Sequence, residues 1–482
     1  MQDSNASLRH SVYGLLIAIA FGIITGHIIG VETGSKTTAQ PTHSDNDRSR
    51  WATVRALVEE HTYAIGVRVY LDEEEKDCVD IGQLKENGWG TIDKVLKPDI
   101  AWINPNPQPG EPLKARFYYS SKPPLLPTIL AGEYWVMNKL FGWNMTNDGR
   151  FPVVRIILFS INGLPWLIAL ILMAKLIDQL GTRDFGRLAA VAAACFCTFV
   201  NAFANTLNNH TIAAWSVIFA LYPVLNAVLQ QRPVSFWGAL LSGLFTGWTV
   251  ANELPALAFA GLLFLWLVFR QPRALIPFMI GAALPLAGFL LTNYLAIGTM
   301  VPAYDKFGTE WYNYPGSFWN PENIKGIDKP KDSTLIYLFH LTFGHHGLFS
   351  LTPILLISLI SFVLPGISQA ETRLGQIRKS VGWLTLLLSL VVLGFYLTKT
   401  ESYNYGGWTA GPRWFIWLTP LWILGALPML DVLSTARWGR ITTMIALGWS
   451  AMSVAFPMYT PWRHPWLYRI LEHWGAIDYE SH

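Results

Sequence analysis

Run after run of apolar residues, many approaching the roughly 20 that carry a helix across a bilayer core, leaves this chain few ways to fold. Of its 482 residues 52% are hydrophobic and only 14% charged, where a soluble domain carries about 25% charged residues. The chain therefore reads as a polytopic membrane protein. Spans are expected at about 11–30, 153–178, 188–206, 210–229, 236–252, 254–270, 274–297, 348–366, 382–398, 413–433 and 439–457. A net charge of +3 is too small to argue for nucleic acid. Cys78, Cys195 and Cys197 fit neither a disulfide framework nor a paired-cysteine metal site. Cys195 and Cys197 fall in an apolar run and read as small packed side chains.

Positive charge gives the chain a direction. Connectors carrying Lys175, Arg183, Arg187, Arg270, Arg273 and Arg378 belong to the cytoplasmic side. The first run follows Arg9 and His10, is too long for a signal-peptide core and lacks a small-residue cleavage site, so it reads as an uncleaved span with a cytoplasmic N-terminus. Opposite lie two long outer loops, 31–152 and 298–347, and the tail from 458. The apolar stretch 125–143 would invert every later connector if it crossed, so it is expected in the outer interface. The reading is one transmembrane domain over 1–482, all-α, with about eleven transmembrane helices and amphipathic helices in the outer loops. Trp311, Trp319, Trp462 and Trp466 flank spans as interfacial aromatics do. Gly243 and Gly247 read as a close helix-packing pair.

Two motifs carry chemistry. Tyr119-Ser120-Ser121-Lys122-Pro123-Pro124-Leu125-Leu126-Pro127 puts a cation and stiff backbone at the mouth of an apolar segment, a setting suited to a phosphate. A snorkelling interfacial lysine is the plainer alternative. Earlier, Ser44-Asp45-Asn46-Asp47 leads into a stretch in which Trp51, Val54, Leu57 and Val58 share a helical face, predicting an amphipathic helix on the membrane surface. Ser44 and Asp47 have the spacing of a capping box, the plainer reading of Asp47. The functional reading is a general base near the outer leaflet.

These segments, taken in order, resemble the first outer loop of membrane glycosyltransferases of the GT-C class, in the protein mannosyltransferase and aminoarabinose transferase branch. Asp47 precedes a surface helix after the first span, and Lys122-Pro123-Pro124-Leu125 precedes the next helix. The long second outer loop and Gly406-Gly407-Trp408-Thr409-Ala410-Gly411-Pro412-Arg413 are similar to features of that class. The resemblance implies transfer of a sugar from a polyprenyl-phosphate donor to a hydroxyl of a lipid, glycan or protein. Inversion at the anomeric carbon, an active site on the extracytoplasmic face and a role in cell-envelope glycosylation come with it. By carry-over Asp47 would be the catalytic base, and Lys122 would meet the donor phosphate. Arg413, at the outer surface beside Gly-rich backbone, is a second phosphate-binding candidate.

Asp45, His210 and Glu253 are possible further contacts, since ionisable groups at membrane depth are costly. Headgroup-level placement is the plainer account of the last two. His345 and His346 lack a third ligand at suitable spacing, so no metal site is expected. No cofactor is required by this chemistry, and a divalent cation, for instance between Asp45 and Asp47, is possible but not indicated. The chain departs from the resembled class in an acid- and proline-rich insertion at about 71–112, where Asp72, Asp93 and Asp99 compete for the base role. The alternative function is a transporter or flippase of a lipid-linked or anionic solute. Against it, ionisable residues gather at the outer face and no internal repeat is present. Short cytosolic loops point to a bacterial inner membrane.

Overall fold

The computed structural model describes residues 2–34, 39–81, 89–146, 149–363, 371–400, 403 and 408–479, with residues 2–5 described as backbone alone. Helices occupy the apolar runs. Among the described residues, seven are long and apolar enough to cross a membrane: Ala6–Ile29, Arg150–Leu180, Asp184–Phe203, Asn209–Leu229, Pro272–Ile297, Arg373–Leu397 and Arg413–Leu433. Leu254–Arg270 and Ile354–Val363 are shorter apolar helices. Phe236–Asn252 and Arg437–Ala455 are helical where the remaining two spans are expected. The helical, polytopic class read from the sequence is the class found.

The first helix, α1 (Gln2–Ile29), lies antiparallel to Arg150–Leu180. At one end Arg9 pairs with Asp178 at 2.9 Å and with Asp184 at 2.6 Å. At the other, Arg155 Nη2 donates to the carbonyl of Val31 at 3.4 Å. Everything between these two helices therefore leaves and returns at one end of the bundle. The end holding Arg9 also holds Arg378, buried against Asp431 at 2.6 Å, whose carboxylate takes the Thr182 and Arg183 N–H groups as well. These are the basic connectors expected on the cytoplasmic side.

Small residues set one tight contact inside the bundle. A methyl group added at Gly247 would lie 2.5 Å from the carbonyl oxygen of Ala282, on the neighbouring helix Pro272–Ile297. Gly243 meets Phe278 of that helix in the same way, so the glycine pair does pack two helices backbone to backbone.

The loop 31–152 is more structured than its sequence announces. It contains two helices, α2 (Asp45–Glu59) and α3 (Leu125–Phe141). Between them five short strands form an antiparallel sheet: β1 (Gly66–Tyr70), β2 (Cys78–Ile81), β3 (Lys94–Leu96), β4 (Trp102–Ile103) and β5 (Lys114–Ser120). The order is β2-β1-β5-β3, with β4 also on β5. Arg68 on β1 faces Asp80 on β2, joined by a 2.7 Å ion pair that fixes the register. No strand is expected from the sequence, because the runs are short and only partly alternating.

Helix α2 has its predicted apolar face: Trp51 and Val54 are fully buried. Its polar face is covered too: Ser49, Arg50, Thr53 and Arg55 are buried, Ser49 against the sheet, Arg50 against Asn209 of the bundle and Arg55 against Glu59. Helix α3 packs along α2. Tyr134 donates to Glu59 at 2.6 Å, and Glu59 also receives the Met145 N–H at 2.9 Å just beyond the α3 end. Near its start Thr128 Oγ1 lies 3.1 Å from the Tyr63 hydroxyl, and Ser160 of the span Arg150–Leu180 donates to Glu133 at 2.8 Å, so α3 touches both the outer loop and the bundle.

Candidate functional site

Local rules place Asp47 first. Ser44 is extended and caps α2, and the capping box is complete. Asp47 Oδ1 accepts the Ser44 N–H at 2.8 Å and the Arg48 N–H at 2.9 Å, and Oδ2 accepts the His43 N–H at 3.0 Å. The residue is 1% exposed. Burial pushes its carboxyl up to about 6, and the three N–H donors hold it back from rising further.

Asp45 does a different job. Its carbonyl accepts the Thr91 hydroxyl at 2.8 Å, and its Oδ1 accepts the Ile92 N–H at 3.0 Å. The head of α2 thus fixes the loop entering β3, and Asp93 is the last residue of that loop. Strand β3 pairs with the end of β5, Lys94 opposite Ser120, and the Ser121 N–H donates to the Asp93 carbonyl at 3.1 Å. Antiparallel pairing therefore carries Asp93 across to the residue after Ser121. The Lys122 ammonium meets the Asp93 carboxylate at 3.1 Å. Ser49 on α2 ties the junction together, donating to the Asp93 carbonyl and bonding Ser120 Oγ at 2.6 Å.

A second chain of contacts runs from α2 into the bundle. Arg50 Nη1 donates to Asn46 Oδ1 at 2.6 Å and Nη2 to Asn209 Oδ1 at 2.7 Å. Asn209 Nδ2 donates to Glu253 Oε1 at 2.7 Å, and the same carboxylate oxygen meets His210 Nδ1. His210 and Glu253 are both buried within the protein. Asn209 and His210 open the span Asn209–Leu229, and Glu253 follows Phe236–Asn252; the chain joins two helix ends.

Arg413 closes the cluster from a third direction. Its guanidinium stands 5.4 Å from the centre of the Trp462 ring. Its charge is felt at Arg50, Lys122 and His210, and at Asp328 of the second outer loop. Arg50 also lies in the field of Asp93, Asp47 and Glu253. Burial lowers the Lys122 ammonium, and the Asp93 carboxylate opposes that fall. Burial pushes Asp328 up to about 6. Gly406 and Gly407, in the same stretch as Arg413, lie outside the described residues.

Of the residues singled out in the sequence, His210 and Glu253 are joined to Arg50 through Asn209, and Lys122 and Arg413 lie within the electrostatic reach of Arg50. Asp47 stands at the edge, within the field of Arg50 but bonded into its cap. Asp45 is an organiser one step away. Arg50 was legible in principle, because it lies one helical turn after Asp47 and so shares its face. Asp328 had no local signal. Among the described residues no group of three or more His, Cys, Asp or Glu side chains is arranged to hold a metal ion.

Chemically, the cluster sets cations on stiff or hydrogen-bonded backbone in a water-poor setting, where they act strongly on an anion. Neither a known protein family nor a curated protein matches the chain. Among solved structures it is similar to the archaeal oligosaccharyltransferase AglB from Archaeoglobus fulgidus in complex with an inhibitory peptide and a dolichol-phosphate. The identity is 12% and the TM-score 0.39, over 93% of this chain and 55% of that one. The chain thus spans about half the length of that protein, and a likeness at this level decides nothing about activity.

Proposed function

We propose that this protein transfers a glycosyl group from a polyprenyl-phosphate donor to an acceptor hydroxyl, at the extracytoplasmic face of a bacterial inner membrane, with inversion. The observation that carries the reading is the meeting of Arg50, Lys122 and Arg413 with acidic side chains at the end of the bundle opposite the Arg9 cluster. A departing lipid phosphate is stable as an anion and needs no proton from a general acid, unlike the leaving group of a glycosidase with its paired carboxylates. What the protein has to supply is positive charge for the phosphate and a base for the acceptor. Lys122 and Arg413 are the donor-phosphate residues in this proposal, joined by Arg50. The loop 31–152 is the catalytic loop.

Asp47 is the base in the reading carried from the sequence. Its raised carboxyl suits a base working near neutral pH, and Oδ2 accepts a single N–H, which leaves it a free lone pair. The ion pair with Lys122 favours Asp93 as a second candidate, since it stands where the phosphate would bind. Purified protein with a radiolabelled polyprenyl-phosphate sugar separates them. Asp47→Asn should abolish hydrolysis or transfer of the label, while Asp72→Asn, in the turn between β1 and β2, leaves it intact. Retained turnover in Asp47→Asn together with loss in Asp93→Asn transfers the role to Asp93. Movement of the intact donor across the bilayer, with no bond broken in the wild type, would replace the transferase by a transporter.

A further inference from the structure

Asp47 and Asp93 differ in what holds them. The Asp47 carboxylate is fixed by three backbone N–H groups. The Asp93 backbone is equally fixed, by Thr91 Oγ1, Ser49 Oγ and the Ser121 N–H. Its carboxylate is not: among the described residues its hydrogen-bonding partner is the Lys122 ammonium, at the end of a flexible four-carbon stem. Asp93 is 6% exposed and the Lys122 side chain 20%, so the carboxylate is shielded while the ammonium keeps some contact with solvent.

Lys122 also stands in the field of two other cations, Arg50 and Arg413. Three cations thus influence one another here, and Asp93 is the carboxylate in contact with Lys122. A phosphate in the same place would offer Lys122 a stronger, multi-oxygen partner and would repel Asp93.

We propose that Asp93 is an internal stand-in for phosphate: its carboxylate occupies the Lys122 ammonium while the site is empty, and the phosphate of the lipid donor displaces it. This rests on the reading of Lys122 as a phosphate-binding residue. The displaced carboxylate is left beside the bound phosphate, and the competition tunes how tightly donor and product lipid are held.

The consequence is a mutation that improves binding. If the pair is closed about nine-tenths of the time, a ligand that needs the open form binds about tenfold more weakly than it otherwise would. Full-length protein in nanodiscs, titrated with polyprenyl phosphate lacking a sugar, measures this. Asp93→Asn should tighten binding by about tenfold, and Lys122→Ala should weaken it by at least as much. In the Lys122→Ala, Asp93→Asn double variant the gain should shrink to what relief of charge repulsion alone supplies, because there is no ammonium left to compete for, and an undiminished tenfold gain there overturns the stand-in. Equal or weaker binding by Asp93→Asn, with Lys122→Ala still weakened, overturns the stand-in and leaves the phosphate reading intact. Unchanged binding in Lys122→Ala removes the phosphate reading itself. Should Asp93→Asn fail to fold, wild-type protein serves: carbodiimide labelling of Asp93, read by mass spectrometry, should rise several-fold on adding polyprenyl phosphate, and unchanged or reduced labelling overturns the proposal.

Discussion

Asp47 joins a helix cap to a proposed proton transfer, and the two uses pull on the same carboxyl in opposite senses. Three N–H donors favour the charged form, while burial favours the neutral one and prevails, to about 6. Two measurements follow. If Asp47 is the base it works deprotonated, so kcat/KM should fall about tenfold per pH unit below 6 and level off above it. The same raised value means that folding takes up a proton between the ordinary carboxylate range and about 6. Stability attributable to this group is then fully present at about pH 4 and lost as pH rises through 6, at a slope of at most about 1.4 kcal/mol per unit. Thermal unfolding of wild type and Asp47→Asn at several pH values should show a steeper slope in the first, the remainder in the second including Asp328, which is also raised to about 6. Ser44→Ala should cost only the cap, about 1 kcal/mol, while leaving the pH limb of activity in place.

At the level of elements, the site depends on how α2, the β3–β5 ladder and the helix ends meet. Ser49 is the joint, bonding the Asp93 carbonyl and Ser120 Oγ from a buried position on α2. Ser49→Ala removes one of the two donors to the Asp93 carbonyl, which keeps the Ser121 N–H. It should lower stability by about 0.5–1.5 kcal/mol and reduce donor turnover as well, since both Asp93 and Lys122 are positioned through that junction. The paired glycines behave differently. Gly247→Val drives a side chain into the backbone of the facing helix and should lower the unfolding temperature and the yield of monodisperse protein far more than Gly448→Val, where an added methyl meets nothing.

For the molecule as a whole, the arrangement has two chemically distinct ends. One gathers Arg9, Asp178, Arg378 and Asp431, and the other holds the sheet and the cluster around Arg50. Sidedness can be read from a native thiol. Cys78 is part-exposed on β2, whereas Cys195 and Cys197 are buried in the bundle. A membrane-impermeant maleimide applied to intact cells should label one site per chain, and Cys78→Ser should abolish that labelling. Labelling that needs permeabilised cells would put the loop 31–152 on the cytoplasmic side and end the proposed location.

The helical, membrane-spanning class was legible because hydrophobic length and charge asymmetry are properties of continuous sequence. So was the α2 cap, with Ser44 and Asp47 three residues apart, and so was the glycine pair, set by helical spacing. The meeting of Asp93 with Lys122 was not, because it arises from strand pairing across the β3–β5 register, and residues 29 positions apart carry no local mark of that register. Nor was the run from Arg50 through Asn209 to Glu253, which joins a loop helix to two helix ends far away in the chain. The sequence alone determined which apolar runs become helices and which helix Asp47 begins. Only the tertiary structure decided which carboxylate faces the lysine, because a hydrogen-bond ladder between distant segments brings those charges within 3.1 Å.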